Sequence, residues 1–414
     1  MGDGRIMTTS ICPTVAEAGL PSIAYEHLTD PDEAHLAIGQ ARRQGPIAIG
    51  PHGPEVLSYE LVRAVLRDPR FVPAVKLVMS AQGVTSGPLW DRATQSILGL
   101  EGETHHRLRR LVSKAFTPRG AERLRTLIVD VITELVDPLA AAGQCDVVGD
   151  IARRYPTPII CALLGAPRQD WQLFSAWTDE IKKIFDWNVA SDGPVIEAAW
   201  AELDAYLEEM LAQRRENLTD DLISDLIRAE DDGDRLGRRE LLMLAATLLV
   251  AGTDTTRNQL AAAVHVLYQR SDQWALLGEH PELAGNAVHE LMRYSPIVFA
   301  LVRTAAEDVQ LGGVIIPAGS LVVANIAAAQ RDPAVYDDAD RLDITREPST
   351  PNLAFGSGAH YCLGSHLARL ELVEALRIIT RRMPNPRAGG PPRWNQMTGI
   401  TGPIALPLEF DPGH

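Results

Sequence analysis

Along most of this chain apolar residues return every three or four positions, the spacing that lays them on one face of a helix. The pattern predicts helices over 58–67, 105–116, 119–141, 171–187, 194–215, 238–270, 281–294 and 364–382. Pro118 is placed to end one helix and open the next, because proline fixes its own φ and has no N–H to give. Strand-like alternation is confined to 47–57 and 298–328, with a last short strand at Ile404-Ala-Leu-Pro-Leu. Within the second stretch, Val309 to Gly319 reads as strand, turn, strand, turn. The picture is a mainly α protein, a large helical part with a smaller β-rich part. No linker-like composition interrupts it, so residues 1–414 are read as a single domain, although length alone allows two or three.

The longest apolar run, Leu241 to Gly252 (LLMLAATLLVAG), is shorter than the roughly 20 residues a membrane-spanning helix needs, so it predicts a buried helix. The N-terminal MGDGRIMTTSICPTVAEAG lacks a long apolar stretch, and neither a signal peptide nor a membrane anchor is expected. Apolar residues make up 46% and charged residues 22%, as in ordinary globular proteins, and the net charge is −15. A negative field of that size argues against nucleic acid or anionic membrane as partners. The four cysteines, Cys12, Cys145, Cys161 and Cys362, are scattered and form no CxxC pair. That usage predicts a reducing, cytoplasmic compartment rather than a disulfide framework. Cys12, Cys145 and Cys161 read as small buried hydrophobes.

Cys362 stands apart. It lies in FGSGAHYCLG, behind two glycines and just before the helical HLARLELVEALRIITRR. Gly356 and Gly358 allow positive φ and a tight curl that points several N–H groups at one spot. A helix N-terminus close by favours negative charge there, and the thiol pKa is expected to be lowered. Gly364 leaves room for something flat against the backbone. Three chemistries use a thiolate so placed: a metal chelate, a nucleophile, or an axial ligand. Zinc needs three or four convergent ligands, and His360, Cys362 and His366 among mobile glycines make a poor cage. A nucleophile needs a general base, for which His360 is near.

The stretch Phe355 to Arg369, FGSGAHYCLGSHLAR, resembles the haem-binding signature of the cytochrome P450 family, FGxGxHxCxGxxLAR, at every fixed position. The resemblance implies the cytochrome P450 fold of soluble bacterial members and haem b, with Cys362 as the proximal thiolate on iron. It implies Phe355 shielding the sulfur, Ala251, Gly356 and Gly364 against the haem, and His360 facing a propionate. His105 and Arg109, four apart on one helix, and Arg303 match the family's remaining propionate ligands. Arg107, Arg110 and Lys114 project from the other side of that helix and suit docking of an acidic electron donor.

Other stretches carry the same resemblance. Ala251-Gly-Thr-Asp-Thr-Thr256 sits inside the long apolar helix, where glycine weakens a helix and Thr and Asp compete for backbone bonds. Such a local conflict is expected at a functional site. It resembles the family's acid–alcohol pair, which implies catalytic roles for Thr255, hydrogen-bonding dioxygen, and Asp254, relaying protons. Glu290 and Arg293, three apart on one helix face, resemble the family's structural ExxR pair, with Arg341 as the arginine that completes it. Leu342 stands where the family often has phenylalanine.

The implied activity is a monooxygenase placing one oxygen atom of O2 into a hydrophobic small molecule, most commonly as a hydroxyl. A peroxide-using or rearranging enzyme, and a haem-binding sensor, are the alternatives; the intact Asp254–Thr255 pair favours the monooxygenase. The chain has no dinucleotide fingerprint, flavin module or iron–sulfur cysteine set, which implies a separate ferredoxin and NAD(P)H-dependent ferredoxin reductase. Pocket residues are expected at Leu244, Leu248, Leu249 and Ala251, at Ile297, Val298, Phe299, Ala300 and Leu301, and at the turn Met397 to Ile400. They are apolar with no fixed charge, and 165–200 is expected to form a mobile lid.

Overall fold

Helix ends here follow ordinary capping chemistry. Asp30 accepts from the N–H of Asp32 at 2.8 Å and opens the first helix, and Glu240 Oε2 accepts from the Gly237 N–H at 3.0 Å at the head of the longest one. The computed structural model describes residues 12–231 and 236–412. The chain runs through α1 (Pro31–Gln44), β1 (Ile47–Gly50), β2 (Gly53–Val56), α2 (Tyr59–Arg67), β3 (Phe71–Pro73), α3 (Val75–Ala81), α4 (Pro88–Gln95) and α5 (Gly102–Ser113). It continues with α6 (Pro118–Glu122), α7 (Arg125–Ala142), β4 (Gln144–Asp146), α8 (Pro156–Leu164), α9 (Trp171–Ile181), α10 (Val189–Glu216), α11 (Leu222–Asp231) and α12 (Arg238–Tyr268). After α13 (Ser271–Glu279) and α14 (Ala284–Tyr294) come β5 (Ala300–Ala305), β6 (Val309–Leu311), β7 (Val314–Ile316), β8 (Leu321–Asn325) and α15 (Ile326–Gln330). The C-terminal part holds α16 (Ser365–Arg382), β9 (Arg387–Ala388), β10 (Arg393–Trp394), β11 (Pro403–Ala405) and β12 (Pro407–Glu409).

The mainly α architecture with small sheets matches the periodicity. The main sheet has the order β1-β2-β8-β5-β3, with β2 and β8 parallel and its other neighbours antiparallel. Pro118 is the first residue of α6, and the predicted 119–141 helix is split in two at Arg123–Leu124. The α-helix in the 171–187 stretch stops at Ile181 and tightens into a 3₁₀ turn over Lys182–Phe185. Helix α8, absent from the sequence reading, is buried at eight of its nine positions, so it has no polar face to mark a period.

The main core gathers α7, α8, α12, α14 and α16, with a second cluster under the sheet. Cys145 and Cys161 belong to the main core, and burial pushes both thiols up to about 12. Helix α12 is continuous through Gly252, and no break marks the Ala251–Thr256 stretch. The reason for the glycine is a close approach: a Cβ there would lie 2.8 Å from Ile160 Cδ1, so α8 rests directly on α12. No helix among the described residues is long and apolar enough to cross a membrane.

A buried charge cluster joins the helical part to the segment after the sheet. Arg293 Nε lies 2.7 Å from Glu290 Oε2, both side chains being almost wholly buried. Arg293 also donates to the carbonyls of Gln330, Ala339 and Arg341 at 2.9, 2.7 and 3.1 Å. The arginine that completes this pair is Arg346, whose Nε is 3.2 Å from Glu290 Oε1. This corrects the expectation of Arg341. That side chain is 65% exposed and faces Asp343 at 3.8 Å, and Arg341 contributes only its carbonyl. A turn over Asp343–Arg346, closed by the bond from Arg346 N–H to Asp343 O (3.0 Å), sends the later arginine inward.

Breaking a buried ion pair leaves an uncompensated charge and costs about 3–5 kcal/mol, whereas an exposed arginine is worth under about 1 kcal/mol. Urea unfolding should therefore show Glu290→Ala losing about 3–5 kcal/mol and Arg346→Ala about 1–3 kcal/mol. Arg341→Ala should stay within about 0.5 kcal/mol of the parent.

Candidate active site

The loop before α16 is set by two glycines in the left-handed region, Gly356 at φ 72° and Gly358 at φ 75°. A Cβ on Gly358 would lie 2.4 Å from the Leu66 carbonyl, so only glycine lets the loop pass α2. The Cys362 N–H donates to the Phe355 carbonyl at 2.9 Å and closes the loop. The Arg369 guanidinium lies over the Phe355 ring, 4.5 Å from its centroid, and donates to the Tyr361 hydroxyl at 3.2 Å. Both contacts brace the segment from the α16 side.

Cys362 is exposed, yet protein surrounds it so closely that burial pushes its thiol up. Its side chain therefore opens on an internal space rather than on the outer surface. The Gly364 N–H and the charges of Arg109 and Arg369 pull the thiol down, as expected of this position, but burial outweighs them. The expected lowering of the free thiol is thus reversed: desolvation near a helix end exceeds the pull of the dipole. A Cβ at Gly364 would meet nothing within 4 Å, so that face of the loop is open. Ala251, in the middle of α12, is likewise exposed.

Beside this space stands a cationic group. His105 is 1% exposed, and its ring centroid is 4.2 Å from that of His360. Burial first, then His105, Arg303, Arg109 and His106, hold the His360 imidazole down at about 4. Burial also lowers His105 and Arg303, and Glu101 is the carboxylate that offsets the Arg303 shift. Arg109 donates to the Tyr361 carbonyl and so ties α5 to the cysteine loop. Each of these groups disfavours its neighbours' charges, which is the arrangement that an added dianion relieves. A thiol facing an internal opening, open space at Gly364 and a basic cluster at its edge fit haem b, with sulfur for the iron and cations for the propionates.

The other two chemistries fare worse. Among the described residues no three His, Cys, Asp or Glu side chains converge to hold a metal ion. His360 is turned to His105, away from a general-base role on Cys362.

On α12 the Thr255 hydroxyl donates to the Ala251 carbonyl at 2.8 Å. Its lone pairs stay available, but its proton is committed to the backbone until the hydroxyl rotates. Asp254 is 2% exposed. Its Oδ1 lies 2.5 Å from Arg257 Nη2 and 3.6 Å from Lys182 Nζ. Arg257 also reaches Asp179 at 2.6 Å, and Arg153 at the surface pairs with the same Asp179. A chain of charges thus runs from Asp254 to the solvent side of α9. Arg257 was legible at three residues from Asp254 on one helix; Asp179 arrives from α9 and Lys182 from the 3₁₀ turn after it, and neither left a local signal.

The expected pocket residues divide by burial and packing partner. Val298 and Leu301 are only partly buried, and Val298 bridges Ile400 on the facing turn. Phe299 instead packs on His35, with centroids 5.1 Å apart, and on Tyr25. Met397 is 1% exposed in the same cluster. Phe299 and Met397 are therefore core residues, a correction to the sequence reading. Leu244 is 2% exposed in the main core, while Leu248 at 8% lies nearer the open face of α12.

A sequence profile described as Cytochrome P450 matches residues 56–279 and 272–382. The mycinamicin IV hydroxylase/epoxidase of Micromonospora griseorubida is 41% identical over 369 residues, 87% of this chain and 91% of that protein. The luteothin monooxygenase of Streptomyces thioluteus is 36% identical over 408 residues, 98% of this chain and 99% of that protein. The solved structure of cytochrome P450epoK bound to epothilone D superposes with a TM-score of 0.84 at 31% identity, covering 91% of this chain and 96% of that one.

Charge-assisted bonds contribute about 1.5–3 kcal/mol each. Replacing Arg109 and Arg303 together by alanine should speed haem loss at least about tenfold, followed by transfer to excess apomyoglobin, with unchanged far-UV circular dichroism.

Proposed function

The chain belongs to the cytochrome P450 family, and on that premise we propose that it places one oxygen atom of O2 into a bulky apolar small molecule, chiefly by hydroxylation. It is an oxidoreductase of the monooxygenase class and takes haem b. The observation that carries the reading is the Cys362 thiol, closely surrounded by protein yet exposed to an internal space beside a basic cluster. Haem b, when bound, supplies the binding and reductive activation of dioxygen.

The protein's own residues do the rest. Cys362 would hold the haem iron through its sulfur, with Phe355 and the Arg369 guanidinium packed behind the loop. His105, Arg109, Arg303 and His360 would hold the propionates, while Ala251, Gly356 and Gly364 would leave room for the flat ring. Thr255 holds a proton at Oγ1 and can turn it from the Ala251 carbonyl toward the chamber. Asp254 relays a replacement proton, taken up from the solvent side of α9, once its carboxylate swings from Arg257 and Lys182. Leu248, Val298, Leu301 and Ile400 present apolar surface that excludes water and orients substrate. Relatives named for mycinamicin IV and luteothin, and a neighbour holding epothilone D, support a substrate of that bulk.

Electrons come from a redox partner, in our reading a ferredoxin and its NAD(P)H-dependent reductase. Exposed Arg110 and Lys114, on the far side of α5 from His105, suit an acidic donor. Arg107, expected in the same stripe, is instead paired with Glu240. We place the enzyme in the cytoplasm and treat its 414 residues as one catalytic domain.

Two variants test these roles. Cys362→Ser should lose the carbon monoxide difference spectrum of a thiolate-ligated haem; its retention would sink the assignment. Thr255→Ala should keep the substrate-induced Soret shift but lower product formed per NAD(P)H by about tenfold or more, with peroxide made up in its place.

A further inference from the structure

The connection between α9 and α10 contains a strained residue. Trp187 has φ 54°, a left-handed conformation that bulky side chains rarely adopt. Its indole lies flat on the His52 imidazole, with ring centroids 3.7 Å apart and planes within 3° of parallel. His52 is in the turn between β1 and β2, and its Nε2 is 2.9 Å from Glu26 Oε2. Glu26 is itself tied to the turn Met397–Ile400, because its carbonyl accepts from the Met397 N–H at 3.1 Å. Two residues before Trp187, the chain meets the same turn again. Gly399 has φ 55°, and a Cβ there would lie 2.7 Å from the Phe185 carbonyl. The connection is therefore clipped at two points to the sheet side of the molecule.

The opposite edge of this roof is built to stay shut. Arg92 on α4 makes a paired bond to Asp204 on α10, with Nη2 to Oδ1 at 2.9 Å, and lies 3.9 Å over the Trp200 ring. Gln82 accepts from the Val189 N–H at 2.9 Å. Leu89 and Ala93 share with Val189 and Ile196 a small hydrophobic cluster separate from the main core. Helices α3, α4 and the start of α10 thus have their own packing and bidentate charge pair, and form one body. The sheet-side edge has a stack at the surface, a backbone close approach and a strained φ that opening would relieve.

We propose that the Trp187–His52 stack is the latch of the substrate passage: the body formed by α3, α4 and the start of α10 lifts along the edge between the 185–187 connection and the β1–β2 turn, and these two side chains set how fast bulky ligands pass. The proposal rests on the buried site being the substrate chamber of a haem enzyme. Glu26 acts through His52 as a positioning residue.

The test uses haem-loaded protein and stopped-flow recording of the Soret shift given by a bulky azole, clotrimazole, and a small one, imidazole. Trp187→Ala and His52→Ala should each raise both the association and dissociation rates of clotrimazole about tenfold, with its equilibrium affinity within about twofold. Imidazole rates should stay within about twofold, and Trp187→Phe should restore the parent clotrimazole rates. The double variant should be no faster than either single one, because the pair acts as a unit. Arg92→Ala should leave the clotrimazole rates unchanged. Hydrogen exchange gives a second readout that needs no haem: Trp187→Ala should speed exchange over 182–191 and not over 88–95. Unchanged clotrimazole rates in both single variants, acceleration by Arg92→Ala instead, or unchanged exchange over 182–191 would each overturn the latch. Failure of the parent to give any azole shift would overturn the haem reading instead, and the exchange arm would still decide the latch.

Discussion

The backbone bond from the Cys362 N–H to the Phe355 carbonyl is the constraint on which the rest of this site depends. It closes a loop that can form only because Gly356 and Gly358 occupy left-handed φ, and it leaves one thiol facing inward. Burial alone would keep that thiol protonated, as the raised pKa shows. A sulfur so placed would be held as an anion by a cation stronger than the helix dipole, such as a haem iron. The nearby imidazoles and guanidiniums have the complementary problem, since they lower one another's proton affinity until an anion arrives. Both imbalances are resolved by one ligand, which is why the two halves of the site lie side by side.

Rigid elements hold that geometry, and looser ones surround it. The Glu290–Arg293–Arg346 cluster fastens α14 to the segment leading into the cysteine loop, with two of its three side chains almost wholly buried. Gly252 lets α8 press on α12, so the helix bearing Asp254 and Thr255 is fixed against the core. The roof is different: it has a separate small cluster and is joined to the sheet side by few contacts. Stability is thus concentrated under the site, and mobility is available over it.

Asp254 shows how the two regions meet. Its carboxylate is held by Arg257 from its own helix and by Lys182 from the roof connection. Displacement of the roof would therefore alter the surroundings of the proton-handling acid as well as the passage of substrate, through shared side chains rather than through distance.

Much of this was legible in the residues. Helical periodicity located α2, α5, α14 and α16, because each has a polar face to contrast with its buried one, and α12 was marked instead by its length of apolar sequence. It could not locate α8, which lacks such a face. The cysteine loop was readable because its chemistry is local: two glycines, a thiol and a helix start within ten residues. The same was true of the spacing of Glu290 and Arg293. What the tertiary structure alone decided were the contacts made across long sequence separations. These are the choice of Arg346 over Arg341, the packing that takes Phe299 onto His35 and Val298 toward Ile400, the balance of burial over dipole at Cys362, and the Trp187–His52 stack. Each depends on which side of a segment a distant segment covers, and local propensity carries no record of that.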